Sequence, residues 1–390
     1  MDQITPYFLA LLVTTGYASI GFWRFVDTSP INNPQRVNTI DGLRGYLALS
    51  VMLHHAVIAR AWLETGHWTL PGDPFYGQLG AIAVSLFFII TGYLFWGKLI
   101  AQEGRINWRA LYIGRVFRIA PTYWIAISGM VLVVFWQSDF QLREPIADLT
   151  KKLLQWYGGL GLLVGHDFNN YDTVWIIIAG VVWTLKYEWR FYLALLPASL
   201  LAKRRLHLPA SIGLLIVSII LANLQNSESW RYTTLFAVGM IVASLAEIGV
   251  KISLSDKLAS LTLIAVLTGT FALNSGPFST WQALFLGVAF LLVENGASLF
   301  GLLTSLPAIR LGHASYGIYL LQGFVFSIGF NNSILRPIVT GNNIGFWIVT
   351  IAGMLLLYTV AALVYSGVER PAIALGRRLG KQKTKAKKPV

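Results

Sequence analysis

Arg44 and His55 stand eleven residues apart in the mostly apolar run TIDGLRGYLALSVMLHHAVIA, Thr39 to Ala59. In a helix, eleven steps make three turns plus roughly 20° and about 16 Å of rise. A guanidinium and an imidazole therefore share one face, while His54 sits roughly 80° away from Arg44. An imidazole so placed could move a proton, and a guanidinium could bind phosphate or carboxylate. The plain alternative is a snorkelling arginine and a buried, hydrogen-bonded histidine. Ionisable groups inside an apolar span are costly and mark candidate sites by default.

Three further segments bring chemistry into apolar surroundings. RALYIGRVFRIAPTYW, Arg109 to Trp124, puts Arg115 and Arg118 three residues apart on one helical face. Such a pair suits a phosphate-bearing ligand; it also suits simple anchoring at a positive membrane face. Pro121 is expected to bend or break that helix. VVWTLKYEWRFYLALLP, Val181 to Pro197, carries Lys186, Glu188 and Arg190. Glu188 could hold a histidine tautomer or act as acid or base, whereas Lys186 and Arg190 also fit an internal ion-pair network. LGHASYGIYLLQG, Leu311 to Gly323, offers His313, Ser315, Tyr316, Tyr319 and Gln322, each readable as an interhelical hydrogen bond. No metal site emerges, because the adjacent His54 and His55 are not an i,i+4 ligand pair.

These residues need helices that cross a bilayer. The chain of 390 residues is 55% hydrophobic and only 12% charged, against roughly a quarter charged in soluble domains. At about 20 apolar residues per span, eleven spans are expected: 6–25, 40–62, 77–100, 113–137, 174–202, 207–224, 231–249, 257–274, 278–301, 309–331 and 343–368. The expected fold is an all-α polytopic bundle, and Pro6 to Phe25 is read as a retained helix rather than a cleaved signal.

The net charge of +13 is better explained by a positive cytoplasmic face than by nucleic-acid binding. With the C-terminus inside, the inner segments hold Arg36; Lys98, Arg105 and Arg109; Lys203, Arg204 and Arg205; Lys251 and Lys257; and the tail RRLGKQKTKAKK. The outer segments hold Arg143, Lys151, Lys152, Arg231 and Arg336, with Asp73, Asp139, Glu144, Asp148 and Glu228. The longest outer loop, 138–173, is apolar enough to lie in the interface. The absence of cysteine excludes disulfides and thiolate chemistry.

Taken in order, the segments resemble the acyltransferase-3 family of bacterial membrane enzymes that O-acylate carbohydrates. IDGLRGYLALSVMLHHA is similar to the family's first motif, an arginine followed by ten residues and a histidine; Arg44 and His55 fit it and His54 does not. SLFFIITGYLF is similar to LFFVLSGFL, and RVFRIAPTYW matches an arginine pair followed by proline and tyrosine. WTLKYEWRFYLALLP resembles WSLSVEEQFYLLLP, which places Trp183, Glu188, Phe191 and Tyr192. LGHASYGIYLLQ resembles LGRISYSLYLWH, and VERPA, Val368 to Ala372, resembles the closing ERP. Gln322 stands where a histidine is common and His313 where an arginine is common. Lys186, Trp189 and Arg190 also depart from the usual neighbours.

The resemblance implies a ten-helix core at 39–372, an extra N-terminal helix and linker at 1–38, and a basic cytoplasmic tail at 373–390. It implies a multi-pass protein of the bacterial cytoplasmic membrane that takes an acyl-CoA, by default acetyl-CoA, and acylates a carbohydrate hydroxyl. His55 is then the catalytic residue and Glu188 its partner. Arg44, Arg115 and Arg118 would bind the donor's phosphates, and Lys186, Arg190 and Tyr316 would bind substrate. The competing expectation is a transporter or flippase that uses the intramembrane charges as its path, although no inverted repeat is visible.

Overall fold

The structure, a computed structural model, describes residues 4–27, 38–72, 74–163, 165–273 and 276–381. Arg36, Asp73 and positions 382–390 of the basic tail lie outside the described residues. Among the described residues the chain is all helical. Fourteen α-helices follow one another: α1 (Ile4–Ser19), α2 (Asn38–Thr65), α3 (Pro74–Ile100), α4 (Trp108–Gln137), α5 (Ile146–Gly159), α6 (Trp183–Ala198) and α7 (His207–Leu224). They continue with α8 (Glu228–Glu247), α9 (Asp256–Ala272), α10 (Thr280–Glu294), α11 (Leu306–Phe324), α12 (Arg336–Gly341), α13 (Asn343–Val364) and α14 (Arg370–Lys381).

Every expected span contains a helix. Among the described residues, five helical stretches are long and apolar enough to cross a membrane by length and composition: α2, α3, α4, α7 and the continuous run from α13 through α14. The stretch 174–202, expected as one span, is divided. A tight helical turn, Val174–Ile178, is followed by Ala179 and Gly180 with φ of 53° and 65°, and only then by the 16-residue α6. Two successive left-handed residues cannot continue a right-handed helix. Pro121, by contrast, does not end α4, which runs on to Gln137.

Helix starts follow local chemistry. Asn107, Ser255, Ser279, Ser305 and Asn342 each accept a backbone N–H at the start of α4, α9, α10, α11 and α13, supplying partners for first-turn donors. The loop after α4 is stitched by Asn169, whose backbone N–H donates to Glu144 Oε1 at 2.6 Å. Its side chain donates to the Gln141 carbonyl and accepts from the Arg143 N–H. The amphipathic α5 packs beside α4 within this loop.

At the centre, α11 packs along α2, and α3 packs against both α2 and α8. Almost all of α11 is buried, including Arg310, His313, Ser315 and Gln322. A helix that is buried all round and still carries polar groups must satisfy them sideways. Gln322, Tyr316 and Tyr319 do so with α2, α4 and the 174–182 segment, and those contacts assemble the candidate site. Arg310 and His313 turn instead to residues 18–27, and the Ser315 hydroxyl has no hydrogen-bond partner among the described residues.

Candidate active site

Tyr316, Tyr319 and Gln322 recur every three residues and form one polar edge along α11. At the first position, the Tyr316 hydroxyl donates to the Ile119 carbonyl of α4 at 3.0 Å. The Arg118 guanidinium lies over the Tyr316 ring, 5.6 Å from its centroid, and is ion-paired to the fully buried Glu369. Thr122 donates to the other Glu369 oxygen at 3.4 Å.

At the second position, Tyr319 shares a 3.1 Å hydrogen bond with Thr184 and donates to the Val181 carbonyl. This ties α11 to the start of α6. On α6 itself, Tyr192 donates to Glu188 Oε2 at 2.8 Å. Arg115 lies over the rings of Phe95 and Tyr192, at 4.8 and 5.9 Å. Arg115, Arg44 and Arg118 all act electrostatically on Glu188. Four residues singled out by sequence, Arg44, Arg115, Arg118 and Glu188, thus form one cluster beside Tyr316.

At the third position, Gln322 reaches His55. Its Oε1 is 3.1 Å from His55 Nδ1, and its Nε2 donates to the Tyr319 carbonyl at 2.8 Å. The second bond fixes the amide orientation, so Oε1 is the acceptor and His55 carries its proton on Nδ1. The lone pair of Nε2 is left for chemistry. Glu188, a candidate for holding the tautomer, does not do so; it is engaged with Tyr192 instead.

His54 has a different setting. Its Nδ1 lies 2.7 Å from the Tyr76 carbonyl, and its ring fills a slot on α3 above Gly80. A Cβ at Gly80 would come within 2.6 Å of that ring. His54 is thus packed against α3 and turned away from Gln322.

At the end of α2 that carries Arg44, a cavity of about 470 Å³ opens between α2, α3 and α8. Asp41, Arg44, Tyr93, Lys98 and Glu247 line it. The Arg115 charge acts on Lys98, so the cavity adjoins the arginine cluster.

Lys186 and Arg190 are not part of this arrangement. Each is two residues from Glu188, about 200° around α6. Arg190 is exposed and stacks over Tyr187 at 5.5 Å; Lys186 is half-buried on the same face as Arg190. Tyr316, the remaining substrate candidate, stays within the cluster.

A family model described as an acyltransferase domain matches residues 37–366. The chain belongs to the acyltransferase-3 family. It is also similar to the exopolysaccharide production protein ExoZ of Rhizobium meliloti (strain 1021), with 27% identity over 297 residues, covering 71% of this chain and 82% of that protein. No solved structure matches. Membership of an acyltransferase family, rather than a transporter family, decides between the two classes that the intramembrane charges allowed.

Several residues of this acyltransferase escaped sequence reasoning. From sequence, Gln322 is indistinguishable from any other interhelical hydrogen-bonding residue. Glu369 was visible within the ERP resemblance, but its pairing with Arg118, 251 residues away, has no local signal. Lys98 looks from sequence like a charge flanking a span. Arg310 lies one turn before His313, which replaces the family arginine. It forms a two-point ion pair with Asp27 at 2.8 and 2.9 Å and caps the Ala18 and Ile20 carbonyls. His313 contacts the Val26 carbonyl and stacks on Tyr365 at 5.4 Å. Together they fasten α1 and the Gly21–Val26 turn to α11.

Proposed function

We propose that the protein transfers an acetyl group from acetyl-CoA to a hydroxyl of a cell-surface carbohydrate or its lipid-linked precursor. It does so as a multi-span protein of the cytoplasmic membrane with its C-terminus inside. The observation that carries this reading is the polar edge of α11, which runs from the arginine cluster to His55 in a chain of this family. The carbohydrate acceptor rests on the resemblance to a protein named for exopolysaccharide production.

In this reading Arg44, Arg115 and Lys98 hold the donor's phosphates at the cavity mouth. Arg118, paired to Glu369, is a positioning residue that steadies Tyr316. The thioester reaches His55. His55 Nε2 takes the proton of the acceptor hydroxyl as that oxygen bonds to the carbonyl carbon. The C–S bond then breaks, and the CoA sulfur leaves with the proton from the imidazolium. Gln322 accepts from Nδ1–H throughout and stabilises the transient charge.

The test is transfer of label from [14C]acetyl-CoA to polysaccharide in membranes. General base catalysis contributes roughly 10²–10⁴-fold, so His55→Ala is expected to lose about that much while inserting normally. His54→Ala is expected to keep its turnover per folded molecule. Full activity in His55→Ala removes the assignment.

A further inference from the structure

Ten residues separate His55 from the end of α2 at Thr65, and the chain then folds back. Trp68, in the turn that follows, returns its indole to 6.2 Å from the His55 ring, tilted by 32°. Trp175 meets Trp68 edge-on at 6.3 Å and 85°, and Trp62 lies 6.0 Å from Trp68 on another side. Trp175 is 38% exposed and Trp68 half-buried. The two indoles form an aromatic corner at the end of the bundle opposite Arg44.

The Trp175 side of this corner is fastened in place. Asp167 accepts the backbone N–H groups of Thr173 and Val174, both at 3.0 Å, and so fixes the turn that bears Trp175. Ser327 donates to the Ile177 carbonyl, and Tyr319 donates to the Val181 carbonyl. Gly323 packs so closely on Ile178 that a Cβ there would lie 2.4 Å from backbone atoms. The turn is therefore fastened to α11 beside Gln322, the residue that orients His55. One helix thus orients the imidazole through Gln322 and holds the turn that bears Trp175.

Tryptophans at a membrane interface commonly face lipid headgroups around the perimeter. Trp68 faces inward, onto the imidazole proposed to deprotonate the acceptor. A pyranose ring has flat C–H faces and a rim of hydroxyls. Its C–H face complements the indole face, and its rim then points toward His55.

We propose that Trp68 and Trp175 are the docking platform for the acceptor's sugar ring, stacking it so that one hydroxyl meets His55 Nε2. This rests on the acyl-transfer reading for the role of His55, but the binding claim is separable from it. The acceptor would enter at the opposite end from the donor.

The experiment uses the full chain in lipid nanodiscs. The probe is an oligosaccharide repeat of the producing cell's exopolysaccharide, de-O-acetylated with mild alkali. KM for oligosaccharide and for acetyl-CoA, and calorimetric Kd for oligosaccharide alone, are measured for wild type, Trp68→Ala, Trp68→Phe, Trp175→Ala and Trp281→Ala. Trp281 is an exposed tryptophan of α10. Truncating a buried aromatic anchor typically weakens binding about tenfold or more. Trp68→Ala and Trp175→Ala are expected to raise oligosaccharide KM and Kd by about that factor with acetyl-CoA KM unchanged. Trp68→Phe, which keeps a smaller stacking face, recovers part of that loss, and Trp281→Ala stays near wild type. Oligosaccharide binding within twofold of wild type in both alanine variants overturns the proposal, as does an equal rise in acetyl-CoA KM. If wild type binds oligosaccharide and loses it in Trp68→Ala but never transfers acetyl, the platform stands and the acyl-transfer reading fails.

Discussion

Replacing Gln322 by leucine tests the orientation of His55 without touching the imidazole. Gln322 is fully buried, and leucine keeps much of its bulk. The change removes one acceptor, 3.1 Å from Nδ1, and one donor to a helical carbonyl. The carbonyl keeps its helical partner, so the principal loss is at the imidazole. In the resting state that bond is neutral. During transfer the ring becomes an imidazolium, and hydrogen bonds to charged groups contribute about 1.5–3 kcal/mol net. Since about 1.36 kcal/mol is a decade in rate, kcat should fall roughly 10- to 150-fold, with KM for acetyl-CoA unchanged. A purely structural role would predict losses that track stability instead. Gln322→Glu restores an acceptor of the same reach and should recover at least about tenfold of that loss. The assay is [14C]acetyl transfer in nanodiscs at saturating donor, with folded fraction set by size-exclusion chromatography. A Gln322→Leu enzyme within twofold of wild type would refute the tautomer argument, because Nδ1–H would then need no acceptor at this place.

Two further outcomes follow from contacts away from the reaction. Arg310→Met breaks the pair with Asp27 and uncaps the end of α1; removing one member of a buried pair costs about 3–5 kcal/mol, and the partial exposure of Asp27 places this case near about 3. A lowered melting temperature and protease-accessible α1, with acetyl-CoA KM retained, is the expected result, and unchanged melting contradicts it. For Glu144, burial pushes its carboxyl up, but the Lys152 hydrogen bond, the Asn169 N–H and the Lys152 charge outweigh it and hold the group below the usual carboxylate range. A depressed folded value stabilises above the unfolded value and is lost as pH falls through the folded one. The 141–170 loop should therefore gain hydrogen exchange, corrected for intrinsic rate, on acidification from neutral pH, and Glu144→Gln should abolish that pH dependence.

The parts of this molecule that were readable from sequence are those set by local spacing. Arg44 and His55 share a face because of helical geometry, and Arg115 with Arg118 follows from an i,i+3 spacing. Where the reading stopped, the partner was distant in the chain. Gln322 reaches across 267 residues to His55, and Arg310 reaches across 283 to Asp27. Nothing local in either segment encodes such a distance. The span expected over 174–202 failed for a different reason. Its apolar run, VWIIIAGVVW, has the hydropathy of a helix, but tertiary contacts to Ser327, Gly323 and Tyr319 draw it into a turn. Lys186 and Arg190 were grouped with Glu188 by proximity in sequence, whereas a two-residue offset sends them to the opposite face.

The uneven position of His55 along α2 has a chemical logic under the proposed reaction. His55 is seventeen residues from Asn38 but only ten from Thr65. Neither substrate can cross an apolar bundle readily. The donor carries phosphates, and the acceptor carries many hydroxyls that would lose their water without replacement. Only the acetyl group needs to pass between the two ends. The donor's reactive carbonyl sits on a long, thin and flexible arm, whereas the sugar is broad and its hydroxyls lie close to its ring. A meeting point nearer the tryptophan end therefore asks the slender substrate to travel and lets the bulky one stay at the surface. The same asymmetry explains why the cations gather around Arg44 at one end while the aromatic corner closes over His55 at the other. Between them α11 presents only the narrow polar edge of Tyr316, Tyr319 and Gln322, which under the proposed reaction would have to admit no more than the slender thioester arm.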